Sequence, residues 1–405
     1  MNKIILIKIS GPDKPGITSA VTAILSKKSI SVLDVGQAVI HNNLALGMLI
    51  EIPNTVDIKT LFLFLEEKTK ELGVSIEFDT VNHNDYEQWV SDQGKPRHIL
   101  TLLTRKLTAV HINAITSLSK EYGLNIDKIT RLSGRVSLFQ DAQSKACVEF
   151  SLRGELDNRL EVKSALLELS NSLDIDIAYQ EDDMFRRNRR LVVFDMDSTL
   201  IEEEVIDELA SLAGVGDEVK EITELAMKGD IDFNESFKRR VSLLKDLDKT
   251  KLESVSKNLK LTEGAETLMT TLKRLGYKTA ILSGGFSFFA NQLKDRLGFD
   301  YVHANELDIV NNKVTGKVIG NIINGDSKAM LLREIAAKEN IALEQVIAIG
   351  DGANDLPMLS IAGLGVAFRA KPIVKKNASQ SISTLGLDSI IYLLGISDRE
   401  RLSSS

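Results

Sequence analysis

The stretch LVVFDMDSTL, residues 191–200, decides the fold. Four apolar residues, Leu191 to Phe194, run into Asp195 and Asp197, then Ser198 and Thr199. Such a run reads as a buried strand that ends in polar chemistry. Extended chain would put Asp195 and Asp197 on one side. Two like charges there repel each other, and burying either is costly. Something should compensate for them.

Three later segments end in the same way. YKTAILSGG, YVHANEL and QVIAIGDG each read as a short strand running into a polar or glycine-rich end. The helical patterns FSFFANQLKDRLG and SKAMLLREIAAKEN stand between them. Strands alternating with helices predict an α/β architecture with a doubly wound parallel sheet. Between the first two strands, residues 205–265 hold helical patterns and no strand-like run, which predicts a separate helical cap.

In open α/β sheets, ligands bind beyond the carboxyl ends of the strands. The predicted topology gathers Asp195, Asp197, Ser283, Gly284, Gly285, Asp351, Asn354 and Asp355 there, with Lys328 opening a helix. Four carboxylates are not neutralised by one lysine. A divalent cation resolves the excess, and an oxygen-rich donor set suits Mg²⁺, which keeps waters and a substrate phosphate in its shell. Exposed backbone N–H groups of the Ser-Gly-Gly segment suit phosphate oxygens. The combination points to phosphoryl transfer.

The first half carries a weak repeat. IILIKIS, the helical ITSAVTAILSKK, two strand-like runs, a second helix and VSIEFD give the order βαββαβ, and the order recurs from HILTLLT at 98–104. A four-stranded antiparallel sheet with both helices on one face buries each helix's apolar stripe. HNDYEQWVSDQGKPR, with its Gly and Pro, reads as a linker, and EDDMFRRNRR as a second joint.

Bulk composition excludes several classes. The 405 residues predict two or three domains, and a net charge of −7 gives no reason to expect nucleic acid. No apolar run reaches the roughly 18 residues of a membrane span. MNKIILIKIS reads as a first strand rather than a signal peptide. Cys147 is the only cysteine, so no intrachain disulfide forms. A cytoplasmic enzyme is expected.

DMDST, SGGF, a lone Lys and GDGAND in that order resemble the haloacid dehalogenase superfamily of phosphatases. VFDMDSTLIEEEVIDELA and AMKGDIDFNESFKRRVSLLKDL narrow the resemblance to its phosphoserine phosphatases, over about residues 190–395. The repeats resemble two tandem ACT domains, small-molecule sensing units, at 1–85 and 95–182. The resemblance implies one Mg²⁺ per site and O-phospho-L-serine as substrate, hydrolysed in the last step of serine synthesis. It makes Asp195 the nucleophile and Asp197 the general acid and base. The metal would be held by Asp195, the Asp197 backbone carbonyl and Asp351, with Asp355 orienting them. Ser283, Gly284, Lys328 and Asn354 would hold the phosphate. Glu204 would meet the substrate ammonium and Arg240 its carboxylate, with Phe233 and Met227 closing an apolar wall. The loop GPDKPGI, with Asp13 and Gly16, would bind L-serine as an effector, and the ACT half would form a homodimer. The matching loop of the second repeat, TRKLTAVHI, lacks Pro and Gly, so its site is degenerate. Removing residues 1–180 is expected to abolish serine inhibition and spare turnover.

Plainer readings stand beside these. Each motif alone also reads as a turn or loop. Glu204 sits in an acidic run, and Arg240 adjoins Arg239 and Lys238, so spacing does not say which base points inward. A dehalogenase, a phosphotransferase, a phosphatase of another small ester, and an amino-acid-sensing regulatory protein are the alternatives. The joint presence of Asp195, Asp197, Lys328 and Asp351 argues against an inert sensor.

Overall fold

Alternation in the first strand sorts its side chains. Ile5, Ile7 and Ile9 of β1 (Lys3–Pro12) are buried against α1 (Ile17–Ser26) and α2 (Ile58–Leu72). With β2 (Ser31–Ile40), β3 (Asn43–Ile52) and β4 (Ser75–Val81), β1 forms an antiparallel sheet ordered β2-β3-β1-β4. The computed structural model describes residues 2–135 and 145–402, and the chain divides into two compact units, 1–95 and 96–405. The segment expected as a linker is not extended. It forms α3 (His83–Asp92), because Asn82 caps it by accepting from Asp85 N at 2.8 Å.

The second unit opens with the same plan. β5 (Arg97–Thr104), α4 (Ala109–Glu121), β6 (Asn125–Arg131), β7 (Ala146–Arg153), α5 (Arg159–Leu173) and β8 (Asp176–Glu181) give a sheet ordered β6-β7-β5-β8. Next comes β9 (Leu191–Phe194), buried throughout. The cap follows as α6 (Val205–Ala213), α7 (Gly216–Lys228), α8 (Phe233–Leu243) and α9 (Lys249–Asn258), and the chain then returns through α10 (Ala265–Arg274). The remaining elements are β10 (Lys278–Phe286), α11 (Ser287–Leu297), β11 (Tyr301–Val310), β12 (Lys313–Ile319), α12 (Gly325–Lys338), β13 (Val346–Gly350), α13 (Leu356–Ile361), β14 (Leu364–Phe368), α14 (Pro372–Asn377) and β15 (Gln380–Ile382). They build one seven-stranded sheet ordered β12-β11-β10-β9-β13-β14-β15. The sheet is parallel except at one edge, where β11 and β12 form an antiparallel hairpin that the sequence reading did not separate. β9 lies between β10 and β13, so the chain direction across the sheet reverses beside it and opens a crevice at its carboxyl end.

The second repeat does not stand apart from this sheet. Leu103, Leu132, Cys147 and Ala178 share one buried cluster with Val366, Phe368 and Tyr392. The edge strands β8 and β15 meet, and the Gln380 side chain accepts from Tyr179 N at 2.8 Å and donates to Tyr179 O. Asp176 accepts from Ser383 N and Thr384 N at 2.9 and 2.8 Å. Fully buried Arg186 pairs with Glu149. Arg105, in the loop that a sensing domain would use for its ligand, donates to both Glu263 carboxylate oxygens at 3.0 and 2.7 Å. A cut at residue 180 therefore passes through a shared core and cannot cleanly separate sensing from catalysis.

Candidate active site

The strand ends at Phe194, not beyond Asp197. Asp195 N still bonds Ile349 O at 2.9 Å, but Leu200 N turns back to Met196 O, and Ser198 takes a left-handed φ of 55°. Extended alternation thus does not set the relation of the two aspartates. The turn does, and Asp197 is fixed by accepting from Val205 N, at the start of α6, at 3.1 Å. Gly285 is needed opposite, because a β-carbon there would strike Asp197 Oδ2. Gly350 likewise leaves room for the Asp355 carboxylate.

The compensating charge is Lys328. It is fully buried on the first turns of α12, with Nζ 2.9 Å from Asp195 Oδ1 and 2.6 Å from Asp355 Oδ1. Burial opposes its charge, but the carboxylates of Asp195 and Asp355 outweigh that and push its pKa above the usual ammonium range. Asp195 Oδ1 also accepts from Met196 N at 2.7 Å. Asp355 Oδ2 accepts from Gly352 N at 2.9 Å, and Thr199 donates to Asp351 at 3.3 Å.

One lysine does not balance the site. Burial, then the charge of Asp355, raises Asp195 well above the carboxylate range. Burial and the neighbouring Asp355 and Glu204 charges raise Asp351 to about 7. Carboxylate oxygens of Asp195, Asp351 and Asp355 all lie within 4.8 Å of one another. A buried, all-oxygen cluster short of positive charge fits a hard divalent cation.

These groups floor or underlie a cleft of about 740 Å³ roofed by the cap. Asp195, Asp197, Gly284, Asp351 and Asn354 line it from the core, and Glu204, Met227, Phe233 and Arg240 from the cap side. Ser283 and Lys328 are buried behind the lining; Ser283 Oγ accepts from Gly285 N at 2.8 Å. Phe233 packs over Gly284. Met227 is 66% exposed, so it sits at the rim rather than sealing a dry wall. Glu204 accepts from Ser198 Oγ at 2.9 Å, and burial raises its pKa. Burial lowers that of Arg240, whose Nε is buried with no partner among the described residues. Glu204 and Arg240 make no ion pair with each other within 4.0 Å among the described residues, so a carboxylate and a guanidinium both face the cleft. Asp13 and Gly16 lie elsewhere, in the first unit. Both are exposed in the β1–α1 loop, where Gly16 takes φ 97° and Asp13 N bonds Asn42 O at 2.8 Å. The recess found in that unit, about 350 Å³ against Leu6, Leu49 and Trp89, does not include them.

Asn305 and Lys371 are among the residues that escaped sequence reasoning. Asn305, 3% exposed on β11, donates to Gly284 O and accepts from Ile323 N, both at 2.8 Å. It ties the Ser-Gly-Gly segment to the chain entering the Lys328 helix. The only signal was a polar residue inside the YVHANEL strand. Lys371 lines the cleft, and its charge works against the rise at Glu204 and Asp351. It follows β14, a strand the sequence reading did not single out.

Comparison with known proteins agrees with this geometry. A haloacid dehalogenase-like hydrolase family matches residues 189–363, and an ACT domain family matches residues 3–79. The chain is 40% identical to a phosphoserine phosphatase of Streptomyces coelicolor over 397 residues, covering 98% of this chain and 93% of the relative. It is 36% identical over 405 residues to one from Mycobacterium tuberculosis, covering 98% and 94%. Among solved structures, a HAD family hydrolase of Salmonella enterica serovar Typhi aligns with TM-score 0.64 and 32% identity, over 73% of this chain and 98% of that one. A probable phosphoserine phosphatase of Vibrio cholerae aligns with TM-score 0.59 and 33% identity, over 76% and 89%.

Proposed function

The chain belongs to the phosphoserine phosphatases of the haloacid dehalogenase-like hydrolases, and from that premise we propose that it converts O-phospho-L-serine to L-serine and phosphate through a phosphorylated Asp195. The observation that carries this reading is the shape of the charge in one cleft. A nucleophile beside a buried lysine lies at the floor, and a carboxylate and a guanidinium with an unpartnered Nε face it from the cap side.

Asp195 Oδ1 is occupied by Met196 N–H and Lys328, which leaves Oδ2 to attack phosphorus. Lys328 and the backbone N–H groups near Gly284 hold the phosphoryl oxygens, with Asn354 at the side of the cleft. Burial and the charge of Glu204 raise Asp197 to about 8, so it holds a proton at neutral pH. It gives that proton to the departing serine oxygen, then takes one from the water that cleaves the acyl phosphate. Glu204 receives the ammonium and Arg240 the carboxylate, for which a guanidinium fork is well shaped. Phe233 covers the phosphoryl site.

Haloacid dehalogenase-like phosphatases use a metal, and Asp195, Asp351 and the Asp197 carbonyl are the residues we assign to it, with Asp355 orienting them. When bound, the ion would neutralise phosphate charge as the nucleophile approaches. Mg²⁺ is our choice among divalent ions. We assign residues 1–85 and 95–182 to the two ACT domains and 190–395 to catalysis, with the enzyme working in the cytoplasm as a homodimer through its ACT half. Among the described residues no helix is long and apolar enough to cross a membrane. L-Serine is the effector we assign to the Asp13 and Gly16 loop. The test is phosphate release from L-phosphoserine, phosphothreonine and sugar phosphates, with Mg²⁺ and with a chelator. Metal-dependent preference for phosphoserine is expected. Fast release from a sugar phosphate with none from phosphoserine would overturn the assignment.

A further inference from the structure

Helix α8 presents a second unsatisfied polar atom to the cleft. Ser236 lies one turn before Arg240, so the two side chains share a face of the helix. Ser236 is 1% exposed, lines the cleft, and its Oγ has no hydrogen-bond partner among the described residues. Arg240 Nε is in the same state. A serine inside a helix often disposes of its hydroxyl by bonding the carbonyl one turn back. Ser119 and Ser164 do so here, to Ile115 O and Leu160 O at 2.8 and 3.0 Å. Ser236 does not; the Asp232 carbonyl takes only its backbone N–H, at 3.0 Å.

A buried hydroxyl left without a partner carries a desolvation cost. Phe233 and Phe237, stacked 6.1 Å apart on the same helix, line the cleft with Ser236. A guanidinium Nε–H is a donor only, and a hydroxyl donates readily, so the pair lacks an acceptor. A carboxylate brings two acceptor oxygens and a charge to match Arg240.

We propose that Ser236 is a specificity-determining residue, donating to the substrate's carboxylate beside Arg240. The two form one carboxylate subsite that favours phosphorylated α-amino acids over phosphorylated amines. The inference rests on the phosphoserine reading and deepens it. Sites built to hydrogen-bond a substrate group discriminate strongly against analogues lacking it, because their own polar atoms are then left unpaired.

The test uses the full chain, wild type and Ser236→Ala, with O-phospho-L-serine and with O-phosphoethanolamine, which keeps the amine and phosphate but lacks the carboxylate. Ser236→Ala is expected to raise KM for phosphoserine about tenfold to a hundredfold, the size of one hydrogen bond to a charged group, with kcat within about twofold. Its kcat/KM for phosphoethanolamine should stay within about twofold of wild type. Its melting temperature should equal or exceed wild type, since alanine favours the helix and removes an orphan hydroxyl. An unchanged KM for phosphoserine overturns the inference. So does an equal loss on both substrates, which would mean the hydroxyl serves something other than the carboxylate. Failure of the wild type itself on phosphoserine overturns the functional reading and this inference with it. Turnover by the wild type with an unaffected Ser236→Ala variant overturns the inference alone.

Discussion

Asp197 holds its proton because burial and the Glu204 charge both disfavour a carboxylate there. Glu204 therefore has two effects, one on the substrate ammonium and one on the acid. Glu204→Gln removes a negative neighbour, which lowers the Asp197 pKa. The alkaline limb of the kcat–pH profile should then move to lower pH, while KM for phosphoserine rises. A limb that stays in place under saturating substrate would show that Asp197 is not tuned through Glu204. At this scale much was legible in the sequence. Asp195, Lys328 and Asp351 each follow or open an element whose pattern was clear, and their charge imbalance could be counted before any fold was known. Asn305 and Ser236 were not legible. One is a polar residue in the middle of a strand that carries other polar residues, and the other sits on a helix rich in polar side chains. Only burial reveals that neither is solvated.

Elements hold these side chains in place through their ends. The turn after β9, the start of α6 and the start of α12 meet at the cleft, and Asn305 ties Gly284 of β10 to the chain entering α12 with a pair of 2.8 Å bonds. Asn305→Leu keeps the branching at Cγ and removes both bonds. Its kcat should drop about a hundredfold, the usual result of a small displacement of reacting groups. The Ki of orthovanadate, which mimics the transferring phosphoryl group, should rise with it. Equal kcat and Ki in variant and wild type would reduce Asn305 to a packing residue. Strands and helices of the catalytic half were readable because apolar runs alternate with 3.6-residue periodicity. The ends were harder. The chain leaves extended geometry at Phe194, since the backbone bonds of Leu200 and Val205 curl it around Met196 and Asp197. α3 was hidden because its sequence is mostly polar, with no apolar stripe, and none of its residues is buried. Its cap residue, Asn82, was the available signal.

At the scale of the molecule, the two βαββαβ repeats have parted ways. The first belongs to a compact unit of its own, and the second shares its core with the catalytic sheet. Repeated patterning shows that two copies exist; it does not show which neighbour each one packs on. The second loop, which lacks Pro and Gly, docks on the catalytic half through the Arg105 clamp on Glu263. Removing residues 1–95 should therefore abolish serine inhibition and leave turnover close to wild type. Removing 1–182 exposes apolar residues of the shared core, Val366, Phe368 and Tyr392 among them, and should lower the melting temperature by about 10 °C or more. Two truncations of equal stability would contradict the shared core. Gel filtration of the full chain and the 96–405 form tests the dimer, which the shorter form should lose.

The most direct test of the central claim is to quench the enzyme in acid during turnover of phosphate-labelled O-phospho-L-serine and locate the label. The account predicts acid-stable, base-labile label on the peptide carrying Asp195, chased by unlabelled phosphoserine and absent from Asp195→Asn, which should keep its fold and lose at least about 10⁴-fold in turnover. Label on Ser198 or Thr199 instead, or full turnover by Asp195→Asn, would contradict it.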